Sequence, residues 1–354
     1  KLSEIRHRQG RLLGRMENLG FELKQEASLS SLTNDVVKSS AIEGESLNSE
    51  EVRSSIASRL GVKITNPILA SRDVEGIVDM ILDATQHFSK PLSKDRLFGW
   101  HTALFPTGRS GMHRITTGGW RTQDAGPMQV VSGPIGKEKV HFEALSAERL
   151  EKEMQTFLDW FNKKCDIDPV LKAGIAHLWF VTIHPFEDGN GRIARAIGDM
   201  ALARADATSN RFYSLSTQIE AMRKDYYNQL EKQQQGTADI TGWLDWFLNC
   251  LGQAISNAET MLASVIFKAN LWDKINQKSV PVNERQRLII NRMLEDDFIG
   301  HINTSKYAKL TKCSNDTALR DILVLKERGI LIQNPGGGRS TSYRLADATN
   351  IDSI

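Results

Sequence analysis

Cysteine is scarce in this chain: three in 354 residues, at Cys165, Cys250 and Cys313. They are odd in number, far apart and fit no metal-ligand spacing, which speaks against a disulfide framework and suits free thiols in a reducing cytoplasm. No apolar run reaches bilayer-spanning length and no signal peptide is visible. The expectation is a cytoplasmic protein with no membrane partner. Neither sign of charge prevails. Forty-five Lys and Arg against 43 Asp and Glu leave +2, so there is no global pull toward nucleic acid or membrane. Internal repeats and low-complexity tracts are lacking too. The chain starts at Lys1 without Met, so a start segment is expected to be missing.

What is present is mostly helical periodicity, over a length that suits two or three domains. Ser49-Glu50-Glu51 opens a helix carrying Val52, Ile56 and Leu60. Residues 72–88 form another, with Val74, Ile77, Val78, Ile81 and Phe88 inward. Helices follow over 93–104, 146–161 and, rich in Trp and Leu, 239–266.

The most informative run is His184-Pro185-Phe186-Glu187-Asp188-Gly189-Asn190-Gly191-Arg192. It follows a helix over 168–183, which Asp168 can cap and Pro169 can open. That helix is apolar on all faces, so it belongs in the interior. Pro185 drives His184 out of the α region and ends the helix. Gly189 and Gly191 let the backbone approach a ligand, and a new helix starts between Asn190 and Arg192. Its free N–H groups make an anion site. Arg192 and Arg195, three apart, can lean toward the same ligand. Asp188 is an oxygen ligand suited to Mg²⁺, which takes one or two carboxylates plus phosphate oxygens. A lone His-Pro or Gly-Asn-Gly is ordinarily structural. A base, a metal carboxylate and an anion cradle in one loop point to transfer of part of a nucleoside triphosphate.

The run resembles the Fic-domain signature, His-Pro-Phe-x-(Asp/Glu)-Gly-Asn-(Gly/Lys)-Arg, without a departure. The resemblance implies a mainly α fold: a Fic helical core with a β-hairpin flap. It also implies transfer of AMP from ATP to a Ser, Thr or Tyr hydroxyl of a protein target, this chain itself included. On that basis His184 is the general base, a role that suits imidazole near neutral pH. Asp188 holds Mg²⁺ against the phosphates. Glu187, Asp188, Gly189, Asn190, Gly191, Arg192 and Arg195 form the nucleotide cradle, and Tyr226-Tyr227 helps line the adenine pocket. Relatives also form homodimers.

Upstream, Ser39-Ser40-Ala41-Ile42-Glu43-Gly44 ends a helix that begins near Ser28 or Ser31, striped by Leu32, Val36 and Ser40. Gly44 is a C-cap candidate, and Ser39 and Glu43 share a face. Read alone, these are a solvated Ser and Glu at a helix end. Beside the signature they resemble the Fic inhibitory motif, (Ser/Thr)-x-x-x-Glu-(Gly/Asn). The resemblance implies that Glu43 takes Arg195 away from the γ-phosphate of ATP. In some relatives the same glutamate supports AMP removal.

Between these motifs, Gly118-Gly119-Trp120-Arg121 leads to Val130-Val131 and Val140-His141-Phe142 around a Gly/Pro turn at 133–136, a short hairpin. By resemblance it is the flap that holds a target segment as an added strand. Downstream, helices are read over 284–294, 304–310 and 315–328. A strand at 330–332, a glycine turn at 334–338 and a returning strand at 342–345 follow. This order resembles a winged helix-turn-helix. Two readings stand: DNA contact through the helix at 315–326 with Arg339 on the wing, or protein contact. Asp316 and Asp321 on that helix weigh against DNA.

The expected domains are 1–60 (helical, with the inhibitory motif), 61–235 (Fic catalytic domain), 236–282 (linking helices) and 283–354 (winged helix). Other readings are phosphate transfer as in Doc-like relatives, and a DNA-binding regulator that only senses nucleotide. Gly191 leaves room for a β-phosphate and favours AMP transfer over the first. An intact base disfavours the second.

Overall fold

The computed structural model describes residues 1–17, 19–64, 66–123, 126–132, 139–277, 280–294, 298, 300–335 and 341–346. The turn at 133–136, most of the glycine turn at 334–338 and Arg339 lie outside them. Contacts divide the chain into Lys1–Glu259 and Thr260–Ile354.

The first unit is built on α7 (Pro169–Ile183) and α8 (Asn190–Asp206), which share the most extensive packing. Asp168 accepts from the Val170 N–H and Pro169 occupies the first turn, as the sequence predicts. The apolar circumference of α7 is buried on several sides: Val170, Ala173, Ala176 and Phe180 are fully covered. Gly174 admits the Phe247 ring, which a Cβ would meet at 3.0 Å, and Trp243 Nε1 donates to the Gly174 carbonyl at 2.8 Å. Both aromatic residues come from α11 (Thr241–Gln277). Around the pair stand α2 (Phe21–Ile42), α3 (Ser49–Leu60), α4 (Arg72–Gln86), α5 (Lys94–Leu104), α6 (Ala147–Asn162), α9 (Leu215–Ala221) and α10 (Arg223–Gln234), with α1 (Leu2–Glu17) at the start.

Helix α2 begins well before the expected Ser28. Its first buried residue is Ala27, so the turns at 21–26 carry no apolar stripe to read. Its middle is held by a buried polar cluster. Asp35 accepts from Ser214 Oγ at 2.6 Å, and Arg211 reaches Asp199 of α8 at 3.0 Å and Asp206 at 3.5 Å. Burial, with Asp199 nearby, raises the Asp35 carboxyl to about 8, so it is mostly protonated at neutral pH.

Strands among the described residues form three antiparallel pairs. A ribbon that periodicity did not reveal joins β1 (Arg109–Ser110) to β2 (His113–Arg114). The expected hairpin is β3 (Gln129–Ser132) with β4 (Lys139–Glu143), bulged between Val130 and Val131. The third pair, β5 (Leu331–Gln333) and β6 (Tyr343–Leu345), belongs to the second unit.

That unit sets α12 (Glu284–Met293), α13 (Thr304–Thr311) and α14 (Asn315–Glu327) around Ile289, Ile290, Tyr307, Ile322 and Leu325, with Leu271 and Ile275 from the end of α11. Those last two residues explain why α11 runs past the expected 266. Ile302 bridges to Tyr343 beside the hairpin. Asp321 does not face outward on α14. It accepts from Arg285 Nε at 2.8 Å and from the Tyr307 hydroxyl at 3.1 Å. The outward face of α14 instead shows Leu319 and Leu323, both more than 40% exposed.

Gly76 of α4 lets that helix touch α5: a Cβ there would run into the Ala103 carbonyl. Overpacking against backbone costs about 1–3 kcal/mol. Gly76→Ala is therefore expected to lower the unfolding free energy measured in urea by that amount, and an unchanged value would show that α4 and α5 are not locked together.

Candidate active site

The loop between α7 and α8 is held from both sides. His184 caps α7 at φ 52, ψ 58, a left-handed conformation that costs a non-glycine residue roughly 1–2 kcal/mol. Surrounding bonds hold it there. Its N–H reaches the Phe180 carbonyl at 3.1 Å, and Arg121 Nε donates to its carbonyl at 2.8 Å. His184 Nδ1 lies 3.2 Å from the Val181 carbonyl. A carbonyl only accepts, so Nδ1 carries the proton and Nε2 keeps its lone pair. Burial pushes the imidazole down to about 4, opposed by the Val181 bond; Arg121 adds to the lowering, while Glu43 and Asp188 oppose it.

Asn190 closes the loop on itself. Its amide donates to the Phe186 carbonyl at 2.8 Å and accepts from the Phe186 N–H at 3.0 Å. The Phe186 ring stacks on His101 at 4.1 Å, within 7° of parallel. His101 Nε2 donates to the Asp188 carbonyl at 3.2 Å. Burial lowers the His101 imidazole to about 4, so this ring too is neutral. The Asp188 carboxylate accepts from Ser110 Oγ, on the β1–β2 ribbon, and remains 43% exposed. Glu187 beside it is half-buried. Gly189, at φ 81, turns the chain into α8.

Both arginines of the cradle are buried and both are engaged. Arg195 Nε donates to Ser39 Oγ at 2.9 Å and Nη2 to the Ser39 carbonyl at 2.8 Å. Nη2 also lies 2.8 Å from Glu43 Oε1. Arg192 Nη1 donates to Glu45 Oε2 at 2.6 Å, and its guanidinium rests 5.1 Å from the Phe105 ring centre. Among the described residues Arg195 Nη1 and Arg192 Nε are buried with no hydrogen-bond partner, so each can still donate to a further acceptor. Gly191 is where Glu43 enters: a Cβ there would collide with Glu43 Oε1.

The two tyrosines part company. Tyr227 is 37% exposed and its hydroxyl donates to Glu43 Oε2 at 3.3 Å. Tyr226 is buried, with its hydroxyl 2.9 Å from His177 Nε2 and its ring among Trp243 and Trp246. The structure therefore brings together His184, Glu187, Asp188, Gly189, Asn190, Gly191, Arg192, Arg195, Ser39, Glu43 and Tyr227, and sets Tyr226 behind them. Among the described residues no three His, Cys, Asp or Glu side chains form a metal cage. A lone exposed carboxylate beside an anion site still fits Mg²⁺, whose other ligands are phosphates and water.

A profile of the Fic/DOC family matches residues 91–202, the span that holds this loop. That span, about a third of the chain, is what resembles the Fic/DOC family. A domain of unknown function (DUF4172) matches residues 1–62. Over 96 residues the chain is 33% identical to protein adenylyltransferase fic-1 of Caenorhabditis elegans, covering 27% of this chain and 18% of that protein. Over 110 residues it is 34% identical to protein adenylyltransferase Fic of Nematostella vectensis, covering 30% and 24%. The chain thus spans less than a quarter of the length of these relatives. A solved Fic family protein from Desulfovibrio desulfuricans G20 shares the fold, with TM-score 0.53 and 21% identity over 97% of this chain and 95% of that one. A solved fragment of C. elegans Fic-1 does so with TM-score 0.51 and 20% identity over 74% and 73%.

Reasoning from the sequence missed four residues around the loop: Ser110, His101 and Arg121 within 91–202, and Glu45 just after α2. Arg121 stood in the quoted Gly-Gly-Trp-Arg run, and Glu45 follows the inhibitory-type motif directly. Only their partners give them meaning. No helix among the described residues is long and apolar enough to cross a membrane.

The partly buried His184 ring has one measurable consequence. In an NMR titration the His184 ring signals should stay unmoved from pH 8 down to about 5.5, because the folded value lies near 4. A midpoint close to the ordinary 6.5 would contradict the assigned environment.

Proposed function

We propose that the protein is an adenylyltransferase that moves AMP from ATP to a hydroxyl of a protein, and that Glu43 restrains it. One observation carries this reading. A neutral imidazole with a free Nε2 lies in the same loop as an exposed carboxylate and the anion-binding N-terminus of α8, which bears two arginines. The relatives named as adenylyltransferases support it.

The chemistry follows from these groups. The phosphates of ATP would lie on the N–H groups at 189–191 with Arg192 and Arg195 as counter-charges. The incoming hydroxyl oxygen bonds to the α-phosphorus as its proton passes to His184 Nε2. The bond from the α-phosphorus to the bridging oxygen breaks, and pyrophosphate leaves with the electron pair. Asp188, aided by Ser110, would hold Mg²⁺, which neutralises phosphate charge. Positioning and charge supply most of the rate, since the protein forms no covalent bond.

Restraint has the same geometry. Glu43 lies on Arg195 and close over Gly191, where a terminal phosphate needs both the guanidinium and the space. A carboxylate there removes the partner and adds like-charge repulsion. Among the described residues β3 pairs with no strand but β4, and Val131 and Val140 are about half exposed, which suits a target segment added as a strand on the β3 side.

Glu43→Gly is expected to raise labelling from α-³²P-ATP by roughly 10–100-fold, the worth of a charged hydrogen bond of about 1.5–3 kcal/mol. His184→Ala in that background should remove roughly 100-fold or more of it. Label from the γ-position instead, or from neither, would overturn the reading.

A further inference from the structure

We propose that Arg121 is a positioning residue that locks His184 in its base geometry and ties it to both stems of the β3–β4 ribbon. The proposal rests on the role given to His184 above. Arg121 is 5% exposed, and among the described residues no carboxylate pairs with it. Its bonds run to backbone carbonyls. Nε donates to His184 at 2.8 Å, the main-chain N–H to Pro185 at 2.9 Å, and Nη2 to Leu145. Arg121 itself lies on the stem entering the ribbon. Leu145 lies on the stem leaving it, next to Ala144, whose N–H meets the Met128 carbonyl at 2.8 Å.

A buried guanidinium without an acid is costly, and a core would be built more cheaply from apolar side chains. What this one obtains is specific. His184 sits in a left-handed conformation that the chain does not favour, and Arg121 grips its carbonyl and that of Pro185. It also places a positive charge beside the imidazole, which disfavours the protonated ring and keeps Nε2 ready to accept. One side chain thus links the ribbon that would receive the target to the group that would activate it.

The test uses the full chain in the Glu43→Gly background, with Arg121→Gln (a donor without charge) and Arg121→Lys (charge without the fork). Three quantities are read: ATP affinity by calorimetry, kcat for AMP transfer, and the His184 midpoint by NMR. Expected are ATP affinity within about threefold of the parent and a kcat lower by roughly 100-fold for glutamine, the cost of a small misplacement of a reacting group. The midpoint should rise for glutamine, and both kcat and midpoint should be partly restored for lysine. Unchanged kcat, an unmoved midpoint, or parallel loss of ATP binding and kcat would overturn the proposal. Should glutamine not fold, the lysine variant decides: a lower kcat with parental ATP affinity supports, parental kcat refutes. Should the Arg121-intact parent transfer no AMP, the reading of the reaction has failed, and the midpoints still decide the grip on His184.

A different ion pair carries a second inference. We infer that Glu45 competes with phosphate for Arg192 as Glu43 does for Arg195. Gly44, at φ 89, turns the chain so that the two glutamates fall on the two arginines. The Arg192 side chain is 6% exposed, whereas Glu45 is half exposed and free to leave. Their contact borders a cavity of about 610 Å³ that also has Phe105, Ser110 and Asp73 in its wall. Glu45→Gln keeps the size and removes the charge. In the Glu43→Gly background it is expected to tighten ATP binding roughly fivefold, the worth of about 1 kcal/mol for a partly exposed pair. Equal or weaker binding would show that Glu45 only holds the turn.

Discussion

The guanidinium of Arg195 is 2% exposed, and a charge so far from water needs a partner of opposite sign. Glu43 at the end of α2 supplies the charge and Ser39 adds two acceptors, so the end of α2 is fastened to the start of α8. Arg195 Nη1 has no hydrogen-bond partner among the described residues. The same guanidinium is where a phosphate would bind. On the proposed reading carboxylate and phosphate would compete for one cation, and the exchange would need no large motion: Glu43 is a cap residue beside a glycine and is the more exposed partner.

Deeper in, the arrangement changes from attraction to accommodation. Four residues before Ser39, Asp35 approaches Asp199 of α8, and Arg211 lies among the acids. Protonation of Asp35 removes one of the two like charges. The α2–α8 contact is thus anchored at depth by a buried polar cluster and closed at its tip by the Glu43–Arg195 ion pair.

Much of this was legible from residue order. Asp168, Pro169 and Pro185 mark the bounds of α7 by local chemistry, and the structure places them so. The mutual position of Ser39, Glu43 and Arg195 came only from resemblance, because nothing in spacing brings residues 43 and 195 together. Helix α2 was read too short because its first turns bury nothing, and α11 because its end packs in a second core. The β1–β2 ribbon has two-residue strands, below the length at which alternation can be seen. Arg121, His101 and Ser110 escaped notice for another reason. Their work is done through backbone oxygens and one carboxylate distant in sequence, and an arginine bound to carbonyls leaves no pattern of charges to read.

The central claim is that Arg195 exchanges Glu43 for a nucleotide phosphate, with the α-phosphate delivered beside the place of His184. A crystal structure of the Glu43→Gly, His184→Ala protein with ATP and Mg²⁺ tests it directly. The account predicts the terminal phosphate on Arg195, the α-phosphate beside the position vacated by the imidazole, and the Asp188 carboxylate on the metal. A triphosphate bound elsewhere, or bound here with Arg195 still engaged only by Ser39, would contradict it.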